Sequence, residues 1–223
     1  MNLVDTFLNG RVFVQTLPLL LSGLTTTLLL GLVSIVLGLA GGLALALMRL
    51  YARAPLRQIA IAYIDVFRAI PLLVLLVIVY YALPFMGVRL SPFAAAATSL
   101  SLVASAYSAE IFRAGIEAVP RGQFEAARAL GLRPFPLMAR VVLPQAVRIV
   151  VPPITSNSIN VLKDTALASV VAMPDLLKQA TQAQALAANP TPLITAAAIY
   201  LLMLLPMVRI AGLLETRWAV QRR

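Results

Sequence analysis

The sequence predicts an all-α, polytopic membrane protein of about five transmembrane helices, and three observations carry that prediction. The 223 residues are 61% hydrophobic and only 12% charged, far from the half-apolar, quarter-charged balance of a soluble domain. Four long stretches carry no charge at all: Val12–Met48, Ala69–Val88, Leu90–Ala109 and Gln179–Val208. Each reaches the ~20 residues that a helix needs to cross a bilayer core. The third observation is where the basic residues fall. Arg49, Arg53 and Arg57 form one cluster, Arg113, Arg121, Arg128, Arg133 and Arg140 a second, and Arg209, Arg217, Arg222 and Arg223 a third. If the spans alternate, all three lie on one side, as positive-inside topology requires. The net charge of +10 therefore reports topology and does not point to nucleic acid.

The elements follow in order. Residues 1–19 read as an extracytoplasmic segment without the basic n-region of a cleaved signal, so the first span acts as an uncleaved anchor with the N-terminus outside. That span covers roughly Leu20 to Met48, with Ser34, Gly38 and Gly42 at intervals of four. Such small residues let a second helix approach closely. The second span, roughly Ile59 to Leu83, contains Asp65 and Arg68 at i,i+3, a spacing that permits a structural ion pair. The third, Phe93 to Phe112, offers Ala104, Ser105, Ser108 and Ala109 as a small-residue face. The fourth begins near Leu143 and is expected to break at Pro152 and Pro153, with Asp164 and Thr165 capping a new helix after Lys163. The fifth covers roughly Leu193 to Leu214. Residues 20–217 form one membrane domain, and 218–223 a cytoplasmic tail.

Several chemistries are excluded. There is no cysteine and no histidine, so thiol chemistry, the commonest metal ligand and the usual general base are all missing. No catalytic or metal site is expected, and the chain is not read as an enzyme. The only lysines, Lys163 and Lys178, follow no glycine-rich loop, so the chain has no phosphate cradle for ATP.

Two constellations remain. Between the third and fourth spans, Glu125 to Leu130 is expected to form one or two helical turns, fenced by Pro120, Pro134 and Pro136. Gly131 supplies the C-terminal stop, Glu125 suits the helix start, and Arg128 lies at i+3 from it. Ala126, Ala127 and Ala129 leave a slim surface suited to a groove on another protein. Further on, Asn157, Asn160, Lys163 and Asp164 place polar groups at helical spacing inside a membrane segment. They are candidates for a substrate path, or for hydrogen bonding between helices. Glu110, Arg113 and Glu117 at i,i+3,i+7 read as a solvated helix end with local ion pairs. Tyr80 and Tyr81 beside Pro84 read as an aromatic belt.

The central stretch AYSAEIFRAGIEAVPRGQFEAARALG, with Leu143 and Pro144 twelve residues after Gly131, resembles the EAA loop of permease subunits of binding-protein-dependent ABC importers. VFRAIPLLVLL at Val66 to Leu76 and LPQAVRIVVPPITSNSINVLKDTALAS are similar to further segments of the polar amino acid branch. The likeness is collinear from about Gly23 to Arg217. It departs at Ala69-Ile70, where Gly-Thr is usual, at Ser105, where a glycine is usual, and at Ala166, which replaces a serine.

The resemblance implies a type I importer permease whose loop is a coupling helix, with Gly122, Glu125, Ala126, Ala127, Gly131, Leu143 and Pro144 contacting a cytoplasmic ATPase. It also implies a second permease subunit, as a homo- or heterodimer, and an extracytoplasmic solute-binding protein. The chain would bind no cofactor, with ATP and magnesium on the ATPase, and would sit in a bacterial inner membrane. The same architecture importing an opine or organic cation, or a non-transporting scaffold subunit, are the alternatives.

Overall fold

The computed structural model describes residues 6–219, and among these there is no β-strand. The helices are α1 (Gly10–Tyr51), α2 (Ala54–Ala69), α3 (Leu72–Val77), α4 (Pro92–Glu117), α5 (Arg121–Ala129), α6 (Pro134–Leu137), α7 (Leu143–Asp164), α8 (Leu176–Ala187) and α9 (Thr191–Ala219). Among the described residues, three helical stretches are long and apolar enough to cross a bilayer: Gly10–Tyr51, Pro134–Val171 and Thr191–Trp218. Ala54–Ala69 with Leu72–Met86 makes a fourth as a broken pair. α4 is long enough at 26 residues, but its alanines and serines and the charges at its end lower its hydropathy. The five expected spans thus become three, a broken fourth, and α4.

Each departure from the expected boundaries has a local cause. α1 starts at Gly10 rather than Leu20, because Asn9 Oδ1 accepts from the backbone N–H of Arg11 (3.0 Å) and Val12 (3.2 Å) and caps the helix there. Its 42 residues extend about 60 Å, well beyond the ~30 Å hydrocarbon core. Residues 10–19 of the expected N-terminal segment are thus helical, and its first five residues lie outside those described. At the other end α9 continues past residue 217, and residues 220–223 of the expected tail, including Arg222 and Arg223, lie outside them as well.

The second span breaks at Ile70 and Pro71, where proline holds the preceding residue out of the helical region. α3 then runs through a π-type turn (Ile78–Ala82) and a 3₁₀ turn (Leu83–Met86) to Gly87, whose φ of 83° ends it. α6 reaches α7 through a second π-type turn, Met138–Val142. The two π turns share a cause. Pro84 and Pro144 cannot donate to the carbonyl four residues back, and in each case the N–H just before the proline reaches five back, Leu83 to Ile78 and Leu143 to Met138.

α7 corrects the expected break. The helix continues through Pro152 and Pro153 to Asp164. Membrane helices tolerate such prolines where neighbouring groups re-satisfy the freed carbonyls. There is no fresh helix cap at Asp164, whose side chain makes no capping bond; the chain instead tightens into a 3₁₀ stretch, Thr165–Val171.

By packing, the chain divides into two compact units whose segments interleave in sequence. The first comprises Met1–Val36, Ile70–Ser101 and Ile159–Met207. Its apolar core gathers Leu30, Leu76, Ala96, Leu100, Ala168 and Val171, with Leu20, Leu176, Ala180 and Ala196 in a neighbouring cluster. Thr27 accepts the backbone N–H of Leu176 (3.0 Å), and Asp175, fully buried, caps α8 by accepting from Lys178 N–H (3.0 Å). Burial raises the Asp175 carboxyl to about 6.

The second unit comprises Leu37–Ala69, Leu102–Ser158 and Val208–Arg223. Here the expected small-residue seam is present. A Cβ placed on Gly38 would lie 2.6 Å from that of Ala104, and one on Gly42 would lie 2.5 Å from that of Ser108 and 3.0 Å from the Ser105 carbonyl oxygen. α1 and α4 touch backbone to backbone because nothing larger than glycine stands between them.

Candidate functional site: a displayed helix and the charges behind it

α5 is the expected loop helix, starting four residues earlier than read. Pro120, with φ −57° and ψ 135°, is its N-cap, and the helix begins at Arg121. Glu125 therefore sits in the second turn, and the helix-start argument for its charge does not hold. No ion pair joins Glu125 to Arg128 either; both are exposed.

The C-terminus follows the expectation closely. Gly131 takes φ +75°, its N–H donates to Arg128 O (2.9 Å), and Leu132 N–H donates to Ala127 O (3.1 Å). That is a Schellman arrangement, completed by Leu132 packing back towards Ala127.

One face of α5 is anchored and the other displayed. Ala127 is its only buried residue, set in a cluster with Ile116, Val119, Leu137, Val142 and Ala146. Gly122, Glu125, Ala126, Ala129, Leu130 and Gly131 are exposed, Leu130 by 82%. Beyond the turn Phe135 is 81% exposed. Leu143 and Pro144 are also exposed, at the start of α7. Cavities of about 690 Å³ and 380 Å³ flank the helix, and Phe124 and Arg128 line both. A short displayed helix with open grooves on either side can seat in a cleft of another protein.

The charges on α4 form more than a solvated helix end. Arg113 bridges Glu110 (2.8 Å) and Glu117, as the spacing predicts. Glu110 also receives Arg49 from α1 and, at 3.9 Å, Arg68 from α2. Its side chain is only 18% exposed. The expected Asp65–Arg68 pair is not formed. Arg68 turns to Glu110 and lies 5.6 Å over the Tyr107 ring, while Asp65 is exposed without an ion-pair partner among the described residues. Glu110 is the less solvated of the two carboxylates, so its attraction for a guanidinium is less screened, and the face of the Tyr107 ring gives Arg68 a second favourable contact. The sequence signal for this hub was one acid inside an apolar span, with arginines at the ends of two others.

The polar residues of α7 fall in both units. Asn157 Nδ2 donates to Ser108 Oγ on α4 (3.3 Å), an interhelical bond within the second unit. Asn160 and Lys163 are exposed and Asp164 is half-buried; these three belong to the first unit.

Comparison with known proteins places this arrangement. Residues 38–220 match the family described as binding-protein-dependent transport system inner membrane component. An arginine transport system permease of Bacillus subtilis is 38% identical, with 92% of this chain and 94% of that one covered. A putative glutamine transport system permease of Rickettsia bellii is 36% identical, over 90% and 93%. A solved amino acid ABC transporter, crystallised with histidines, superposes with a TM-score of 0.86 at 39% identity, covering 92% of this chain and 96% of that one. A methionine ABC transporter in an inward-facing form shares the fold at a TM-score of 0.68 and 23% identity, over 93% and 96%. The chain belongs to the binding-protein-dependent transport inner membrane family, as a multi-pass transport subunit and not an enzyme.

Proposed function

We propose that the chain forms the translocation path for a polar amino acid in an ABC importer and transmits the ATPase cycle through α5. The observation that carries this reading is the displayed face of α5: anchored by Ala127, it leaves the side chains of Glu125, Ala126, Ala129 and Leu130 exposed, with no covering partner among the described residues. The relatives named for arginine, glutamine and cystine transport support a polar amino acid as solute.

ATP and magnesium belong to the ATPase, and this chain binds neither. ATP-driven closure of two ATPases draws two coupling helices together, and the spans exchange inward-facing for outward-facing access. Two permease subunits share the work, fed by a solute-binding protein on the side of the N-terminus. The basic clusters and the C-terminus face the cytoplasm. Asn157, Asn160, Lys163 and Asp164 line the path, where polar groups at membrane depth replace the water lost by a zwitterion.

The test is reconstitution in liposomes with the ATPase and a panel of binding proteins, following ATP hydrolysis as each amino acid is added. One amino acid should stimulate hydrolysis and accumulate. A healthy basal rate that no amino acid changes would move the solute to another class.

A further inference from the structure

We propose that the arginine-lined cavity among α1, α2 and α4 holds the headgroup of one anionic phospholipid. The cavity measures about 240 Å³ and is lined by Arg49, Leu50, Arg57, Arg113 and Glu117. That is room for about eight waters, enough for a phosphate and the first carbons attached to it. Around it four arginines, with Arg68 beside Glu110, meet only two glutamates, so the site carries excess positive charge. Glu110 holds Arg49 and Arg113 in place, while Arg57 is exposed and has no ion pair among the described residues. Fixed guanidinium groups beside an uncommitted one suit a phosphate, which accepts two parallel N–H bonds from arginine.

A second observation favours lipid over a soluble anion. Leu43, Leu47 and Tyr51 recur at i,i+4,i+8 along α1, exposed by 45%, 43% and 58%, and Leu50 of the cavity wall adjoins that ridge. Leu56 and Ile59 on α2 are exposed by 52% and 61%. Acyl chains lying along these apolar surfaces bring their phosphate to the arginines. Basic pockets between membrane helices are suited to anionic headgroups for this reason.

The inference rests on the chain's place in a membrane and does not depend on which solute is carried. The experiment is native mass spectrometry of the detergent-purified permease–ATPase complex, titrated with phosphatidylglycerol, phosphatidylcholine or inorganic phosphate. Phosphatidylglycerol should be retained in preference to phosphatidylcholine, at one lipid per copy of this chain. Arg57→Gln should weaken its retention about fivefold. Arg53→Gln removes the same charge from the same cluster but outside the cavity wall, and should weaken retention less than about twofold. The thermal midpoint of lipid-free R57Q should equal that of wild type, since Arg57 supports no ion pair. Equal losses in the two variants would overturn the site in favour of diffuse surface attraction. Equal retention of phosphatidylcholine, or displacement of the lipid by inorganic phosphate, would overturn the lipid assignment. If amino acids fail to stimulate the ATPase while lipid retention behaves as stated, the proposed solute falls and the lipid site stands.

Discussion

Two glutamates fifteen residues apart show how this chain divides its charge. Glu110 is 18% exposed and receives Arg49, Arg68 and Arg113 from three helices. Glu125 is exposed on α5 and has no ion pair among the described residues. Both lie in the same unit, one at the end of a long helix and one on a short helix beyond it. A charge that internal partners surround holds the fold. A charge left without them, on the displayed face of a short helix, is available to another protein. Spacing alone did not separate them, since each has an arginine at i+3.

The comparison is broken most forcefully at Glu110. Glu110→Gln leaves three arginines around a neutral group, and removing one partner of a largely buried ionic set costs about 3 kcal/mol. The thermal midpoint of the purified complex should fall sharply, with low yield. Glu125→Gln should leave the yield and midpoint of the isolated permease unchanged while ATPase association weakens. If the two variants behaved alike, the division of roles would be wrong.

The next largest effect belongs to the helix seam. Gly42→Val forces a side chain where even a Cβ would sit 2.5 Å from that of Ser108, an overpacking cost of about 2 kcal/mol. Its midpoint should drop, whereas Gly122→Val, where an added Cβ meets nothing within 4 Å and valine is the better helix former, should not lower it. Smaller again is Gly131→Asp. A non-glycine residue at φ +75° costs about 1 kcal/mol, so the protein should reach the membrane folded, but with ATPase binding or coupling lost. Normal transport by this variant would contradict the docking role of the turn.

The smallest effect is expected at Asn157. Asn157→Ala removes one interhelical hydrogen bond, about 1 kcal/mol, and should reduce transport while ATPase association stays normal. An unchanged transport rate would leave Asn157 as a helix-packing residue only.

Much of this was legible in the sequence because it depends on neighbours in sequence. The Gly131 stop and the small residues that join α1 to α4 are local patterns with one physical meaning each, whereas of the expected alanine face Ala126 and Ala129 are displayed and Ala127 packs inward. What was misread depends on distant partners. Asp65 and Arg68 have the right spacing for a pair, but spacing does not show that Glu110 lies across a helix interface. Pro152 and Pro153 read as a break because the sequence does not display the surroundings that keep α7 continuous. The charge of Glu125 suits a helix start, but Pro120 sets the first turn at Arg121. The polar run of α7 reads as a path or as interhelical hydrogen bonding, and the sequence does not show that Asn157 reaches Ser108 on α4 while Ser156 reaches Glu215 on α9.

The central claim is that the outward face of α5 is covered by the ATPase, and the chain is well prepared for a direct test because it has no cysteine. Single substitutions Ala126→Cys, Leu130→Cys and, as an exposed control in the other unit, Leu186→Cys can each be probed in the assembled complex with a short thiol cross-linker. The account predicts that the first two join the permease to the ATPase and lose solvent labelling when it binds, while the third does neither. Full solvent labelling of the Ala126→Cys and Leu130→Cys proteins in the assembled complex, with no cross-link, would contradict it.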